Sequence, residues 1–344
     1  MKKRETELDI LRFSALFFVV LMHSSGNQNI NAALDSKHFS AFVAAIVWCV
    51  PAFVMISGRI FLDPTKTVTI PVIFSKYLLR IISAFIVWTG VYVIYYILSG
   101  TYNNLNIFGI AHQFIYGPYH FWYLYMLAGL YLTTPFLRKI AHDDQLCIYF
   151  LILFAILNII TGYLVYLPKI GSIIAEAMER LNLHLVIGYA GYFVLGYFIY
   201  KNRDRISPRL EAIIYIGGIL LLCTTCIVED HLSEELQSQD FVKQYMKPNI
   251  VAISAALFVF FEKRISRINF TEKTRHLFTR LTELGFGAYA IHALVICLLS
   301  YIPLPTAAQY PYISLFLLTA VTVLLSLLAT ALLRKIPYIG KKIT

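Results

Sequence analysis

Long apolar runs alternate with short polar segments along the whole chain. Ten of these runs are long enough, or nearly long enough, to cross a bilayer, which takes about 20 residues per helix. They lie near residues 8–26, 39–62, 77–98, 119–138, 146–167, 184–200, 212–228, 248–262, 284–302 and 311–333. The pattern predicts one all-α domain over residues 1–344, a polytopic membrane protein of about ten transmembrane helices.

The basic residues test this count of spans. With the amino terminus inside, most of the 29 lysines and arginines fall in inner segments or at inner helix ends, as the positive-inside rule expects. The outer loops hold only Lys37, Lys169, Arg180, Lys243 and Lys247. This asymmetry predicts that both termini are cytoplasmic, because omission of one span would reverse every later loop.

Composition supports a membrane protein and argues against other classes. Hydrophobic residues make up 59% of the chain and charged residues 14%, whereas soluble domains have about 25% charged residues. The formal net charge of +10 is spread over short loops, so it does not indicate a nucleic-acid partner. The five cysteines all lie in apolar runs, which argues against a disulfide framework. We predict no metal site.

The first apolar run, LDILRFSALFFVVLMHSSG, carries two polar side chains, Arg12 and His23. It has an arginine and lacks a small-residue cleavage site, so we expect it to remain as the first span rather than a cleaved leader. Eleven helical steps separate Arg12 from His23, which places both on one face with a rise of about 16 Å. Such groups are costly in a membrane helix, and they either anchor its two ends or serve a function.

Histidine is the natural general base in this chain. No Asp or Glu lies deep in a predicted span, so a carboxylate proton relay is missing. Histidine titrates near neutrality. His23 and His120 fall at the same predicted outer level, and His292 lies about a third of the way into the ninth run. The alternative interpretation is that His292 is packed in the core and that His120 belongs to an interfacial aromatic belt with Trp122 and Tyr123.

Four cations fall at the predicted inner level: Arg12, Arg59, Lys76 and Arg80. Guanidinium and ammonium groups match phosphate oxygens, so together they suit a polyphosphate; anchoring to the membrane surface is the alternative. The rise of about 16 Å along the first span is about the length of an extended pantetheine arm. An acyl-coenzyme A bound at the cations would present its thioester near His23, where the histidine takes a proton from an acceptor hydroxyl.

At these residues the chain resembles the acyltransferase-3 family of integral membrane acyltransferases. Five blocks carry the resemblance, in order along residues 9 to 296. They are LDILRFSALFFVVLMH with Asp9, Arg12 and His23; VPAFVMISG at 50–58; FSKYLLRI with Lys76 and Arg80; HFWYLYMLAGLYLTTP from His120 to Pro135; and FGAYAIHALVI with Tyr289 and His292. Arg59 departs from the pattern, since relatives usually have an aromatic or aliphatic residue there.

The single-domain layout is most similar to stand-alone surface-polysaccharide O-acetyltransferases, such as the enterobacterial common antigen type. The resemblance implies a multi-pass enzyme of a bacterial cell membrane, with acetyl-CoA as donor, a sugar hydroxyl of an envelope glycan or its lipid-linked precursor as acceptor, and membrane lipids around it. It implies His23 as the catalytic residue and Arg12, Lys76 and Arg80 as donor contacts. The residues expected to bind substrate are His120, Trp122, Tyr123, Tyr289 and His292.

Two other functions remain open at this point: a transporter or flippase of a glycan or lipid-linked sugar, and a membrane scaffold or sensor. The lack of buried carboxylates and of an internal repeat weighs against an ion-coupled carrier. Within the first span, Asp9 is expected to pair with Arg12, three residues on. The residue that orients His23 is expected from another helix.

A cysteine at position 110 tests the predicted orientation. In a cysteine-free background, Ile110→Cys is expected to react with a membrane-impermeant maleimide added to intact cells, because segment 99–118 is predicted to be an outer loop. Lys66→Cys, in a predicted inner segment, is expected to react only after the membrane is opened. Labelling of position 110 from the cytoplasmic side alone would contradict the orientation.

Overall fold

A computed structural model describes the chain except residues 1–4, 35–41, 104, 168, 183–185, 187, 232–244, 305 and 338–339. The described residues form helices and loops with no strand among them, which confirms the all-α prediction. The helices are α1 (Thr6–Ser24), α2 (Gln28–Asn31), α3 (Cys49–Phe61), α4 (Ile70–Leu98), α5 (Ile107–Tyr116), α6 (Trp122–His142), α7 (Asp144–Gly162), α8 (Gly171–Leu181), α9 (Ala190–Asn202), α10 (Pro208–His231), α11 (Pro248–Lys263), α12 (Glu272–Leu299), α13 (Pro311–Leu333) and α14 (Gly340–Ile343).

Each of the ten predicted apolar runs overlaps one of these helices. Within the described part of the chain, five helical stretches are long and apolar enough to cross a membrane: Phe42–Phe61, α4, α7, α12 and α13. The chain is therefore a helical protein with several candidate membrane spans. The count of ten spans and the side of the termini stay predictions. Residues 39–41, 184–185 and 187 of the predicted runs lie outside the described residues.

Besides the four-residue helix α2, helices α5 and α8 occupy segments that the sequence assigns to outer loops. Helix α5 forms within segment 99–118, where the Asn106 side chain caps its first turn by accepting a hydrogen bond from the N–H of Gly109 at 2.8 Å. It ends at Gly117, whose φ of +72° favours glycine. Helix α8 lies in the segment with Lys169 and Arg180. Both helices are too short to span a bilayer, which is why the apolar-run criterion misses them.

The chain divides into two compact units. Unit 1 comprises Met1–Met22, Leu34–Thr67 and Thr134–Thr279, and unit 2 comprises His23–Ala33, Val68–Thr133 and Arg280–Thr344. His23 therefore opens the first segment of unit 2.

In unit 1, helices α3 and α9 are in direct backbone contact. A Cβ atom at Gly58 would lie 1.8 Å from the carbonyl oxygen of Phe193, and one at Gly196 would lie 2.2 Å from the carbonyl oxygen of Met55. Glycines allow such an approach because they leave room for the neighbouring backbone, the usual basis of close helix packing in membranes.

A buried ion network lies at the carboxyl end of α3 in unit 1. The Arg59 side chain is 2% exposed, and its Nη1 and Nη2 atoms lie 2.5 Å from Glu262 and 2.9 Å from Glu5. Glu7 is 3.8 Å from the same guanidinium, and Arg203 is 3.4 Å from the second oxygen of Glu262. Each buried charge thus has an opposite partner, the condition under which burial is tolerated.

In unit 2, one apolar cluster joins α4, α6 and α12 through Trp88, Tyr92, Phe121, Leu124 and Ile291. The last residues of the chain pack against α4. The Trp88 indole N–H donates to the carbonyl of Ile343 at 2.8 Å, so α14 is tied to the side of this cluster.

The close contact of α3 with α9 predicts that Gly58→Ala destabilises the protein. The added methyl group must push two backbones apart, and overpacking of this kind costs about 1–3 kcal/mol or more. Gly217→Ala is the matched control, because nothing lies within 4 Å of a Cβ there, and alanine favours helix. Thermal unfolding of the purified variants in detergent checks this, and equal melting temperatures for Gly58→Ala and the control would contradict it.

The buried network predicts a large cost for Arg59→Ala. Without Arg59, the carboxylates of Glu5, Glu7 and Glu262 face one another, and Arg203 is the cation that still contacts Glu262. Removal of one partner from a buried ion pair typically costs about 3–5 kcal/mol. Arg180→Ala serves as control, since the Arg180–Glu176 pair is 78% and 63% exposed and pairs of that kind contribute little. The melting temperature is expected to fall for Arg59→Ala and to stay nearly constant for Arg180→Ala. A tolerated Arg59→Ala would show that the network does not support the fold.

Candidate active site

Three histidines from distant parts of the chain meet in unit 2. His23 lies in the last turn of α1, His120 in the 3₁₀ turn Tyr119–Phe121, and His292 in α12. The ring centroids of His23 and His292 are 5.2 Å apart, those of His120 and His292 4.9 Å, and those of His23 and His120 6.2 Å. The structure thus brings together the three histidines that the sequence singles out.

The three rings differ in accessibility. His120 and His292 are 1% and 0% exposed, whereas His23 is half-buried. The ring of Tyr119 lies 5.0 Å from that of His23, and this tyrosine is 56% exposed. His23 is therefore the member of the cluster that a substrate can reach, and Tyr119 is at its approach.

A main-chain carbonyl sets the tautomer of His292. Its Nδ1 lies 2.5 Å from the carbonyl oxygen of Tyr289, which can only accept, so Nδ1 carries the proton. In the neutral ring Nε2 then has a lone pair. This atom is buried and has no hydrogen-bond partner among the described residues. The cluster therefore holds an unused acceptor beside the His23 ring.

A glycine turn precedes His120. Gly117 has a φ of +72°, and a Cβ there would lie 2.9 Å from the Phe85 ring; only glycine suits both conditions. The Tyr289 hydroxyl donates a short hydrogen bond to the main-chain carbonyl of His120. This contact ties α12 to the turn and gives Tyr289 a structural role that the sequence does not predict.

The two aromatic residues after Phe121 contact each other, and the second of them also contacts Tyr289. The Trp122 and Tyr123 ring centroids are 6.2 Å apart, and Tyr123 lies 5.8 Å from Tyr289. The side chains of Trp122 and Tyr123 are both half-buried. Their substrate contacts stay a prediction.

Two tyrosines of this site are missed by the sequence. Tyr92 of α4 lies 5.5 Å from His120, ring to ring, and Tyr119 lies beside His23. Tyr119 directly precedes His120, and this adjacency is a sequence signal that could have identified it. Tyr92 stands in an apolar run rich in tyrosine, and nothing in that pattern distinguishes it from Tyr95 or Tyr96.

The cations of unit 1 have different surroundings. Arg12 pairs with Asp9 at 3.2 Å, which confirms the predicted pair, and the Arg12 side chain stays 27% exposed. Arg59, the other predicted phosphate contact in unit 1, has several carboxylate partners, and its role as a contact of acyl-CoA stays a prediction. Its guanidinium is buried against Glu262, Glu5 and Glu7, so its charge is already neutralised by the protein.

The cations of unit 2 lie near the beginning of α4. Lys76 stands in a π-helical turn, Ile73–Leu78, and is exposed. Arg80 donates to the carbonyl of Thr344 at 3.0 Å and lies over the Phe286 ring at 5.0 Å. One guanidinium of five donors can make this contact and still bind an anion. Both side chains are exposed, and their role as contacts of acyl-CoA stays a prediction.

A polar cavity of about 300 Å³ lies in unit 1, at the network around Glu262. Its lining residues are Glu5, Glu7, Arg203, Asp204, Glu262, Lys263, Ser266 and Arg267. Carboxylates outnumber cations among them, so the cavity does not match a polyphosphate. Among the described residues, no group of three or more His, Cys, Asp or Glu side chains has the geometry to hold a metal ion.

Comparison with known proteins gives one finding. No curated protein and no solved structure matches the sequence. A family model, described as an acyltransferase domain of the acyltransferase-3 type, matches residues 5–333, from the beginning of α1 to the end of α13. The match includes all three histidines of the cluster. The chain therefore belongs to the acyltransferase-3 family and is a membrane acyltransferase.

Proposed function

We propose that the protein is an O-acyltransferase that moves an acyl group, most simply acetyl, from cytoplasmic acyl-CoA to a hydroxyl of an envelope glycan or its lipid-linked precursor. The observation that carries the proposal is the position of His23. It is half-buried between the buried His292 and the exposed Tyr119. A substrate hydroxyl can reach such a base, and the protein can still orient it.

In the proposed reaction, His23 carries one proton from the acceptor hydroxyl to the leaving thiolate. An unprotonated ring nitrogen of His23 takes the proton of the acceptor hydroxyl, and the hydroxyl oxygen attacks the thioester carbonyl. The tetrahedral intermediate then collapses, the carbon–sulfur bond breaks, and the thiolate of coenzyme A takes the proton from the imidazolium. The products are an O-acyl ester and coenzyme A. With water as the acceptor, the same chemical steps hydrolyse the thioester.

The donor is proposed to lie along α1. Arg12 and His23 are on one helix, with a rise of about 16 Å between them, the length of a pantetheine arm. The exposed part of the Arg12 side chain can bind a phosphate, although Asp9 forms an ion pair with the same guanidinium. Lys76 and Arg80 are proposed as further donor contacts, whereas Arg59 is left out because of its carboxylate partners.

The acceptor is proposed to approach past Tyr119. Segment 99–118 contributes no formal charge and is rich in asparagine and tyrosine, side chains that hydrogen-bond sugar hydroxyls. An exposed tyrosine ring offers an apolar face to the carbon side of a pyranose. These features support a carbohydrate over a charged acceptor.

Replacement of His23 tests the proposal. Purified protein is incubated with radiolabelled acetyl-CoA, and release of coenzyme A is followed with a thiol reagent. His23→Ala is expected to lower turnover by about 10²–10⁴, the usual contribution of a general base. His276→Ala, an exposed histidine of α12 outside the cluster, is expected to retain full turnover.

The outcomes separate the candidate functions. Full activity of His23→Ala would remove His23 as the base. Absence of both binding and turnover of acetyl-, propionyl- and succinyl-CoA by the wild-type protein would contradict an acyl-CoA donor and favour transport or scaffolding.

A further inference from the structure

The hydroxyl of Tyr92 lies inside the hydrogen-bond ladder of another helix. Tyr92 belongs to α4 and is 1% exposed. Its hydroxyl donates to the carbonyl of Ala290 at 3.0 Å and accepts from the N–H of Leu294 at 2.9 Å. Both partners belong to α12. In a regular α-helix they would pair with each other, because each N–H donates to the carbonyl four residues earlier.

The Tyr92 hydroxyl competes for two backbone groups of α12. An N–H carries one proton, so the bond from Leu294 to Tyr92 competes with its direct bond to Ala290. Side chains that enter the ladder of a helix bend it at that turn. His292 lies midway between the two residues. A side chain from α4 therefore contacts the turn that carries His292.

A second contact acts on the same turn. The carbonyl of Tyr289 accepts from His292 Nδ1, and the next carbonyl along the chain, that of Ala290, accepts from Tyr92. Side chains thus serve two successive carbonyls of this turn. The bond to Tyr289 restrains the rotation of the His292 ring and leaves its Nε2 as a buried acceptor, while the bond from Tyr92 holds the main chain beside it.

We propose that Tyr92 is a positioning residue for the histidine cluster: its hydroxyl holds the turn of α12 at Ala290 and Leu294, and so sets the His292 ring against His23. The proposal rests on the proposed role of His23 as general base. The ring centroids of His23 and His292 are 5.2 Å apart. At this distance, a modest rotation of the His23 ring lets one of its N–H groups donate a hydrogen bond to His292 Nε2. That hydrogen bond keeps the lone pair on the other nitrogen of His23, where the acceptor hydroxyl needs it.

Phenylalanine isolates the effect of the hydroxyl. Tyr92→Phe keeps the ring that packs with Trp88 and Phe121. The freed Leu294 N–H and Ala290 carbonyl can then pair directly, so no buried group is left without a partner. The expected result is a protein that folds normally but has a shifted His292.

Kinetics with acetyl-CoA provide the first test. Tyr92→Phe is expected to lower kcat for hydrolysis about tenfold or more, since small misplacements of catalytic groups are costly, with KM for acetyl-CoA unchanged. Tyr96→Phe is the matched control on the same helix, its ring 6.3 Å from that of Tyr92, and is expected to match the wild type. Equal losses in the two variants would overturn the proposal.

A double variant distinguishes positioning from a general structural role. If Tyr92 acts through His292, then Tyr92→Phe combined with His292→Ala is expected to be no slower than His292→Ala alone. Losses that multiply would show that Tyr92 acts independently of His292, and the proposal would fail.

A third measurement does not depend on activity. In ¹⁵N-histidine-labelled protein, the ring resonances of His292, identified by their loss in His292→Ala, are expected to shift in Tyr92→Phe and to stay in place in Tyr96→Phe. Unchanged resonances in Tyr92→Phe would overturn the proposal even if the enzyme is active. A wild-type protein without acetyl-CoA turnover would instead count against the proposed function, while these spectra would still decide whether Tyr92 positions His292.

Discussion

A polar group buried in an apolar helical protein is costly unless it has a partner, and this constraint accounts for most of the structure's distinctive contacts. Arg59 is buried because Glu262 and Glu5 neutralise it. Asp9 is buried because Arg12 stands one turn further along α1. Nε2 of His292 is one of the buried atoms without a hydrogen-bond partner among the described residues, and it lies next to His23, the residue proposed to carry the chemistry.

The two units satisfy this constraint by different means. Unit 1 brings backbones together at Gly58 and Gly196 and balances its buried charges in an ion network. Such a network supports folding, but its charges are committed and offer little to a ligand. In unit 2, the tyrosine hydroxyls of Tyr92 and Tyr289 bond main-chain carbonyls, as that of Tyr192 also does in unit 1. A hydroxyl carries no formal charge, so it can position a histidine without placing a charge beside it.

The histidine cluster therefore combines a rigid part and an accessible part. His292 and His120 are buried and held through backbone contacts, while His23 faces the side where Tyr119 is exposed. A general base needs both conditions. Its lone pair must be reachable, and its ring must be held by groups that do not themselves react. The glycine turn at Gly117 contributes to the second condition by placing His120 and Tyr119 together.

The sequence by itself determined where the helices of the ten apolar runs lie, because apolar runs are a local property of the chain, although it missed the short helices α5 and α8. It identified the Asp9–Arg12 pair, because the two are three residues apart. It also singled out His23, His120 and His292 by residue type, since few titratable groups occur in apolar runs. Only the tertiary structure decided that Arg59 is occupied by carboxylates and that Tyr92, 198 residues from Ala290, enters the ladder of α12. Periodicity along the chain records which face of a helix is apolar, but it contains no information about which distant backbone atom a given hydroxyl meets.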